Sequence, residues 1–71
     1  MIRLKNLLQM SFAGRFVISN ADDNDQTVWE GSKFGNGYDD MRDKYGDYEV
    51  VGIRAASNRY LIITIEKESL L

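Results

Sequence analysis

The sequence predicts a small α+β domain, in which an antiparallel sheet of about four strands is built from two hairpins. A short helix lies between the hairpins, and a helical turn precedes them. The prediction rests on leucines at helical spacing near the N-terminus, on two pairs of β-rich runs around turn residues, and on helix end signals between those pairs. We place the single domain at residues 1–66 and expect residues 67–71 to fray as a tail. A curled, SH3-like partial barrel is the alternative architecture.

The two helices are predicted from spacing and from end signals. Leu4, Leu7 and Leu8 form one apolar stripe of a helix over about residues 3–10, and Gly14 ends any continuation. The second helix follows Asn36 as its N-cap, has acidic residues in its first turn and basic residues near its end, and stops before Gly46. Its inner face by the same spacing rule carries Tyr38, Met41, Arg42 and Tyr45.

The first hairpin is predicted to run from residue 15 to residue 31, with its turn in the acidic segment 22–25. That segment also invites a calcium-loop interpretation. An EF-hand loop that starts at Asp23 would have Val28 where glycine is required and Phe34 where the bidentate glutamate is required. The segment is therefore interpreted as a solvated hairpin turn.

The closing hairpin is predicted from strict alternation. The odd-numbered residues 51, 53 and 55 of one strand and 61, 63 and 65 of the other are apolar, and we expect them to face the core together. In an antiparallel pair, both sets lie on the same face only if the residue numbers of two opposite residues add up to an even number. Pairing of Ala56 with Tyr60 meets this condition and leaves the three-residue loop 57–59. Asn58 or Arg59 is expected to adopt a positive φ, at a lower steric cost for Asn58.

The other side of this hairpin is the candidate binding site. It is too apolar for a plain solvent face, and three explanations stay open: other segments of the chain cover it, a second copy pairs with it, or another macromolecule binds it. Trp29 joins the candidates as a partly buried ring, on the expectation that either Trp29 or its neighbour Val28 faces the core. The candidate binding residues are Tyr48, Val50, Arg54, Tyr60, Ile62 and Trp29.

Composition excludes several kinds of chemistry. The chain has no His and no Cys, which removes His-based general base catalysis, thiol nucleophiles, imidazole or thiolate zinc sites and disulfides. We also expect too little room beside the core for a substrate pocket of about 300 Å³. The glycines at 31, 35 and 37 lack a following basic residue for a phosphate cradle, so they are interpreted as turn residues. The prediction is a protein without enzymatic activity, cofactor, metal or small-molecule substrate.

Charge and hydropathy limit the partners. Residues 20–50 carry nine acidic and three basic side chains, and no basic stripe suited to a nucleic-acid backbone is visible. No apolar run approaches the roughly 20 residues of a membrane span. No signal peptide is visible either, so we expect a cytoplasmic protein without a membrane partner.

The order of features resembles a class of short uncharacterised proteins that phages and prophages of Gram-positive gut bacteria encode. The shared features are a leading Leu4-Lys5-Asn6-Leu7-Leu8 turn, a strand, an acidic turn, the Trp29-Glu30-Gly31 step, a short helix, and a closing hairpin formed by 48–53 and 61–65. The resemblance spans nearly the whole chain. It implies a phage context inside a bacterial host and transfers no activity or catalytic residue.

These observations together predict a non-catalytic phage-type accessory protein that binds protein through the outer face of the closing hairpin. The partner is expected to be a second copy of the chain or a host factor. One alternative is single-stranded nucleic-acid binding by the same face, through Tyr48, Arg54, Arg59 and Tyr60. Another treats the acidic central segment as a decoy for a basic host protein.

Overall fold

The computed structural model describes residues 2–11, 14–33, 35–56 and 60–67. Within these ranges, the chain forms two helices and four strands, and a 3₁₀ turn, Ala21–Asp23, connects the first two strands. The α+β class and both hairpins are therefore confirmed. The elements are α1 Leu4–Met10, β1 Arg15–Asn20, β2 Gln26–Ser32, α2 Tyr38–Tyr45, β3 Glu49–Ala55 and β4 Tyr60–Glu66.

The four strands form one open sheet in the order β2-β1-β4-β3. Each hairpin is antiparallel, whereas β1 and β4 run parallel at the centre and join the two hairpins. The sheet is therefore mixed, whereas the sequence predicted an antiparallel sheet; the difference arises because the two hairpins join through a parallel pair, β1 and β4. Its edges are β2 and β3, and they are far apart in the strand order, so the alternative of a curled barrel is not what the chain adopts.

The hydrophobic core lies on one side of this sheet, which we call the helix face. Ile18 pairs with Ile63 in the register, and Phe16 and Ile65 extend the same face along their strands. Both helices pack here, because their buried residues belong to the same cluster as these strand residues. Fully burying each aliphatic or aromatic side chain contributes about 1.5–3 kcal/mol. The buried cluster consists of Leu4, Leu8, Phe16, Ile18, Tyr38, Met41, Ile63 and Ile65.

The closing hairpin has the predicted register. Ile53 lies opposite Ile63, and the Ala56 N–H donates to the Tyr60 carbonyl over 3.3 Å. Inward orientation of the β4 residues is also confirmed, because Ile63 and Ile65 are fully buried and Leu61 packs against the core. The loop 57–59, with the expected positive φ at Asn58 or Arg59, lies outside the described residues, as do residues 68–71 of the predicted tail.

Burial of the β3 residues was predicted wrongly. Val51 and Ile53 expose 45% and 51% of their surface, and Ala55 is also exposed. Two physical reasons account for this. Ile53 faces the same side as Ile63, but β3 is an edge strand that the helices do not cover. Val51 sits in a β-bulge, so that Val50 takes the position across from Ile65 and packs against the core instead.

The start of α1 is held by the segment between α2 and β3. Its first amides have no side-chain cap; instead Leu4 N–H donates to the Tyr48 carbonyl and Lys5 N–H to the Gly46 carbonyl, each over 2.9 Å. The Lys5 ammonium also pairs with the Asp47 carboxylate at 2.8 Å. This contact places α1 beside α2 across the helix face.

The start of α2 differs from the prediction. Gly37, not Asn36, is the N-cap residue, and no side chain caps the helix. Gly37 has φ = 83°, a left-handed conformation that glycine adopts without the steric cost of a side chain. The chain therefore enters the helix through a backbone turn, and Asn36 is not required as a cap.

The acidic segment forms the hairpin turn that was predicted. The Asn20 side chain accepts from the Asp22 N–H over 3.0 Å, and Asn24 and Asp25 both have positive φ, near 56° and 59°. Asp22 Oδ2 in turn accepts from the Lys67 N–H over 2.7 Å. The turn thus holds the end of β4 in place.

Candidate functional site

The side of the sheet opposite the helices, which we call the open face, carries three rows of side chains that cross the strands. The register places the members of each row next to one another. The hydroxyl row is Thr27, Ser19, Thr64 and Gly52; the central row is Glu30, Val17, Ile62 and Arg54; and the tyrosine row is Ser32, Arg15, Tyr60 and Ala56.

The middle of the open face is apolar. Val17 and Ile62 pair directly on the two central strands, and Tyr60 follows on β4. All three are partly accessible to solvent, and none belongs to the core cluster or to the hydrophobic residues packed against it. Within the described part of the chain, no helix covers this side. The sequence left open three explanations for this apolar face, and one of them was cover by other segments of the chain. Neither α1 nor α2 provides that cover.

Opposite charges lie at the two ends of the central row. Glu30 is on edge strand β2 and Arg54 is on edge strand β3, with Val17 and Ile62 between them. Three strand spacings of about 4.8 Å separate the two charged residues, which is too far for a direct pair. Glu30 instead has a loose contact with Arg15, whose Nη2 lies 3.9 Å from its Oε1. Both charged side chains are exposed, so this contact contributes little to stability.

A shallow depression of about 340 Å³ lies where the hydroxyl row crosses β3 and β4. It exists because Ser19, Thr64 and Gly52 have small side chains or none. A Cβ built on Gly52 would meet the Thr64 Cβ at 3.5 Å, an ordinary contact distance. The glycine is therefore not required by the fold at this position, and its effect is to leave room on the surface.

The predicted site residues divide between the two faces. Arg54, Tyr60 and Ile62 lie on the open face, as expected. The outward placement of Tyr48 and Val50 is wrong, because both pack against the core, and the bulge at Val51 is what shifts the alternation. The Tyr48 ring also contacts the Tyr45 ring edge to face, with centroids 5.2 Å apart.

Trp29 lies on the helix face and is partly buried, as expected for a large ring. The expectation that either Trp29 or Val28 faces away is wrong, because a second bulge at Val28 lets both pack against the core. The Trp29 ring contacts Tyr38 of α2 edge to face, with centroids 6.0 Å apart. It therefore joins β2 to α2 and does not belong to the open face.

Sequence reasoning missed the open-face residues of the first hairpin, among them Arg15, Val17 and Glu30. The signal for Val17 was present, since it lies between Phe16 and Ile18 and must face the side opposite to them if β1 is a central strand. Both hairpins were expected in one sheet, but nothing in the sequence indicates that β1 pairs with β4, so the residues of the first hairpin that lie beside Ile62 and Tyr60 were not identified.

A groove of about 600 Å³ lies between the helices, larger than the room expected for a pocket in so short a chain. Most of its lining side chains are exposed, so it is an open groove and not an enclosed cavity. Burial raises the pKa of the Tyr38 hydroxyl, with Asp39 adding to the effect and Arg42 opposing it, so that this hydroxyl stays protonated at neutral pH. The lining residues are Lys5, Asn6, Gln9, Lys33, Tyr38, Asp39 and Arg42.

Neither described helix has the length and apolar character needed to cross a membrane. Among residues 2–11, 14–33, 35–56 and 60–67, no group of three or more acidic side chains is arranged to hold a metal ion.

Comparison with protein family models, with curated proteins and with solved structures finds no match to this chain.

Proposed function

We propose that this chain is a non-catalytic protein-binding module that acts through the open face. The observation that carries the proposal is the pair Val17 and Ile62, two aliphatic residues at the centre of a sheet face on which neither helix packs. Contiguous apolar surface rimmed by polar and charged residues is typical of protein interaction sites. A partner that covers these side chains removes apolar area from water, which is favourable by about 25 cal/mol per Å².

The geometry favours a protein partner over single-stranded nucleic acid. Stacking surfaces for single strands need several aromatic rings on a basic face. Of the aromatic candidates, Tyr60 lies on the open face, whereas Tyr48 and Trp29 pack against the core. The centre of the face is aliphatic, and Arg59 lies outside the described residues. Of the described residues that the nucleic-acid alternative names, Arg54 and Tyr60 lie on the open face and Tyr48 does not.

The acidic decoy is also less well supported. Three of the acidic residues of segment 20–50 pair with cations of the same chain: Glu30 with Arg15, Asp39 with Arg42, and Asp47 with Lys5. The others are divided between the hairpin turn, α2 and the start of β3. An acidic surface that attracts a basic protein needs these charges on one side of the molecule.

The resemblance to phage-encoded proteins gives this proposal its biological setting. In that setting the chain is an accessory protein in the cytoplasm of a bacterial host, and its partner is a host factor or a second copy of itself. The two kinds of partner use the same chemistry, which is apolar burial within a polar rim.

The test compares two variants that each place a lysine on an accessible apolar position. Ile62→Lys alters the centre of the open face, and Met10→Lys alters an exposed side chain of α1, of which 63% is accessible. Lysine keeps an aliphatic stem, so both variants are expected to fold, which circular dichroism checks. Self-association and capture of host proteins are measured for each.

We expect Ile62→Lys to lose the binding that wild type shows, and Met10→Lys to keep it. Binding that survives Ile62→Lys unchanged would contradict the proposal. A gel shift of single-stranded RNA or DNA at low salt that depends on Arg54 and Tyr60 would contradict it in favour of the nucleic-acid alternative.

A further inference from the structure

We infer that the partner of the open face is a second copy of this chain, packed face to face about a twofold axis that runs along the strands between β1 and β4. The inference rests on the proposal that the open face binds protein, and it adds the identity and geometry of the partner. It depends on the arrangement of the central and tyrosine rows, which are complementary to themselves; beyond the hydroxyl row, the open face also carries the pair Glu49 and Glu66.

The twofold axis exchanges strands in a simple way. It places β2 of one copy over β3 of the other, and β1 over β4, while each row stays over the same row. In the central row, Glu30 then lies over Arg54 of the second copy, and Val17 lies over Ile62. The interface therefore has an aliphatic centre and an opposite-charge pair at each side. By symmetry the Glu30 to Arg54 contact occurs twice.

The same operation also aligns the other two rows. In the tyrosine row, Arg15 lies over the Tyr60 ring of the second copy, which is the arrangement of a cation–π contact. In the hydroxyl row, Thr27 lies over Gly52, where the depression of about 340 Å³ gives it room, whereas Ser19 is already buried and only 7% accessible.

The charges also distinguish this axis from a twofold axis that crosses the strands at the central row. Such an axis places each strand over itself. Glu30 would then lie over Glu30, and Arg54 over Arg54, so that like charges would meet at both sides. Packed sheets cross at about 30°, which offsets the ends of the central row by a few ångströms. Glu and Arg side chains are long enough to span that offset.

The size of the face sets the strength of the dimer. Four strands about 4.8 Å apart and three rows about 6.8 Å apart cover roughly 400 Å² in projection on each copy. Stable interfaces bury about 800 Å² of accessible surface on each partner, so this face is about half of that size and falls in the range of weak, transient interfaces. We therefore expect a dimer that dissociates on dilution. Domains with cores this small often gain stability from oligomerisation.

The experiment is a mixing test with two charge-reversed variants, Glu30→Arg and Arg54→Glu. Each variant alone places two like-charge contacts in its own dimer. In an equal mixture, the heterodimer pairs a chain that carries Glu30→Arg with a chain that carries Arg54→Glu, and both contacts are again between opposite charges. Both positions are exposed, and the Glu30 contact with Arg15 is loose, so the variants are expected to fold.

Sedimentation equilibrium at moderate salt measures the outcome. We expect wild type to dimerise, each single variant to have a dissociation constant raised about tenfold or more, and the mixture to recover most of the wild-type association. A wild type that is monomeric at millimolar concentration would overturn the inference, and so would a mixture that associates no better than its components.

The two proposals fail separately. If wild type is monomeric but captures a host protein in a manner that Ile62→Lys abolishes, the twofold dimer is wrong and the protein-binding function stands. If Ile62→Lys changes neither self-association nor capture, the open face is not a protein-binding surface and both proposals fail.

Discussion

The indole ring of Trp29 lies directly over Gly31, so closely that a Cβ built on the glycine would come within 2.7 Å of Cζ2 of the ring. The two residues are two positions apart on β2 and therefore share the helix face. From this position the ring also contacts Tyr38 of α2. The absence of a side chain at residue 31 thus allows the tryptophan to lie flat on the sheet and join it to the helix.

Substitution of Gly31 by alanine is expected to destabilise the fold. The added methyl group has to displace the Trp29 ring, and overpacking of this kind costs about 1–3 kcal/mol. Urea unfolding measures the loss, and tryptophan fluorescence of the folded protein reports the displaced ring. Gly52→Ala is the matched control, because its Cβ meets Thr64 at an ordinary 3.5 Å. It should be neutral or stabilising by up to about 1 kcal/mol. Equal losses of unfolding free energy in Gly31→Ala and Gly52→Ala would contradict the explanation that the Trp29 ring requires a glycine at position 31.

Two isoleucines that face each other across the closing hairpin should differ sharply in their contribution to stability. Ile63→Ala removes a fully buried side chain from the core and is expected to cost about 2–4 kcal/mol, enough to unfold much of a domain this small. Ile53→Ala, on the same face but 51% exposed on the edge strand, should cost under about 1 kcal/mol. The midpoints of urea unfolding of the two variants measure both losses. A loss at Ile53 as large as that at Ile63 would show that β3 is covered.

The contact between Lys5 and Asp47 is expected to make stability depend on pH in the acid range. The hydrogen bond and charge of Lys5 lower the pKa of Asp47 below its ordinary value of 3.8, and Arg3 adds to the effect. Because the folded pKa is the lower one, the stabilisation is present above pH 3.8 and is lost as the pH falls through the folded pKa.

The Asp47 carboxyl can be titrated by NMR in wild type and in Lys5→Met. The variant should raise the pKa of Asp47 toward its ordinary value and remove this part of the acid loss of stability. An unchanged Asp47 titration in Lys5→Met would show that the ammonium is not the cause.

Most helices and strands of this fold can be predicted from the sequence, because they follow local periodicity. The Leu4, Leu7 and Leu8 spacing predicts α1, and the alternation of residues 61–65 predicts both β4 and the register with β3. The acidic turn follows from the preference of Asn and Asp for left-handed conformations, which Asn24 and Asp25 adopt. Each of these features depends on residues close together in the chain.

The features that were not predicted depend on residues far apart. The bulge at Val51 lies beside the point where the Val50 N–H donates to the Ile2 carbonyl over 2.8 Å, a contact across most of the chain. The parallel pairing of β1 and β4 has no turn to indicate it, since β2, α2 and β3 separate them along the chain. The open face was therefore assembled by pairing that local patterns do not reveal, and Arg15, Val17 and Glu30 were missed with it.

Amide chemical shifts followed by NMR over a wide range of protein concentration give the most direct test of the open face as an interaction surface. We predict that signals of Val17, Ile62 and Thr64 move as the concentration rises, while those of Leu8 and Met41 on the opposite side stay in place. Spectra that do not change with concentration, or changes confined to the helices, would contradict the claim that the open face is an interaction surface.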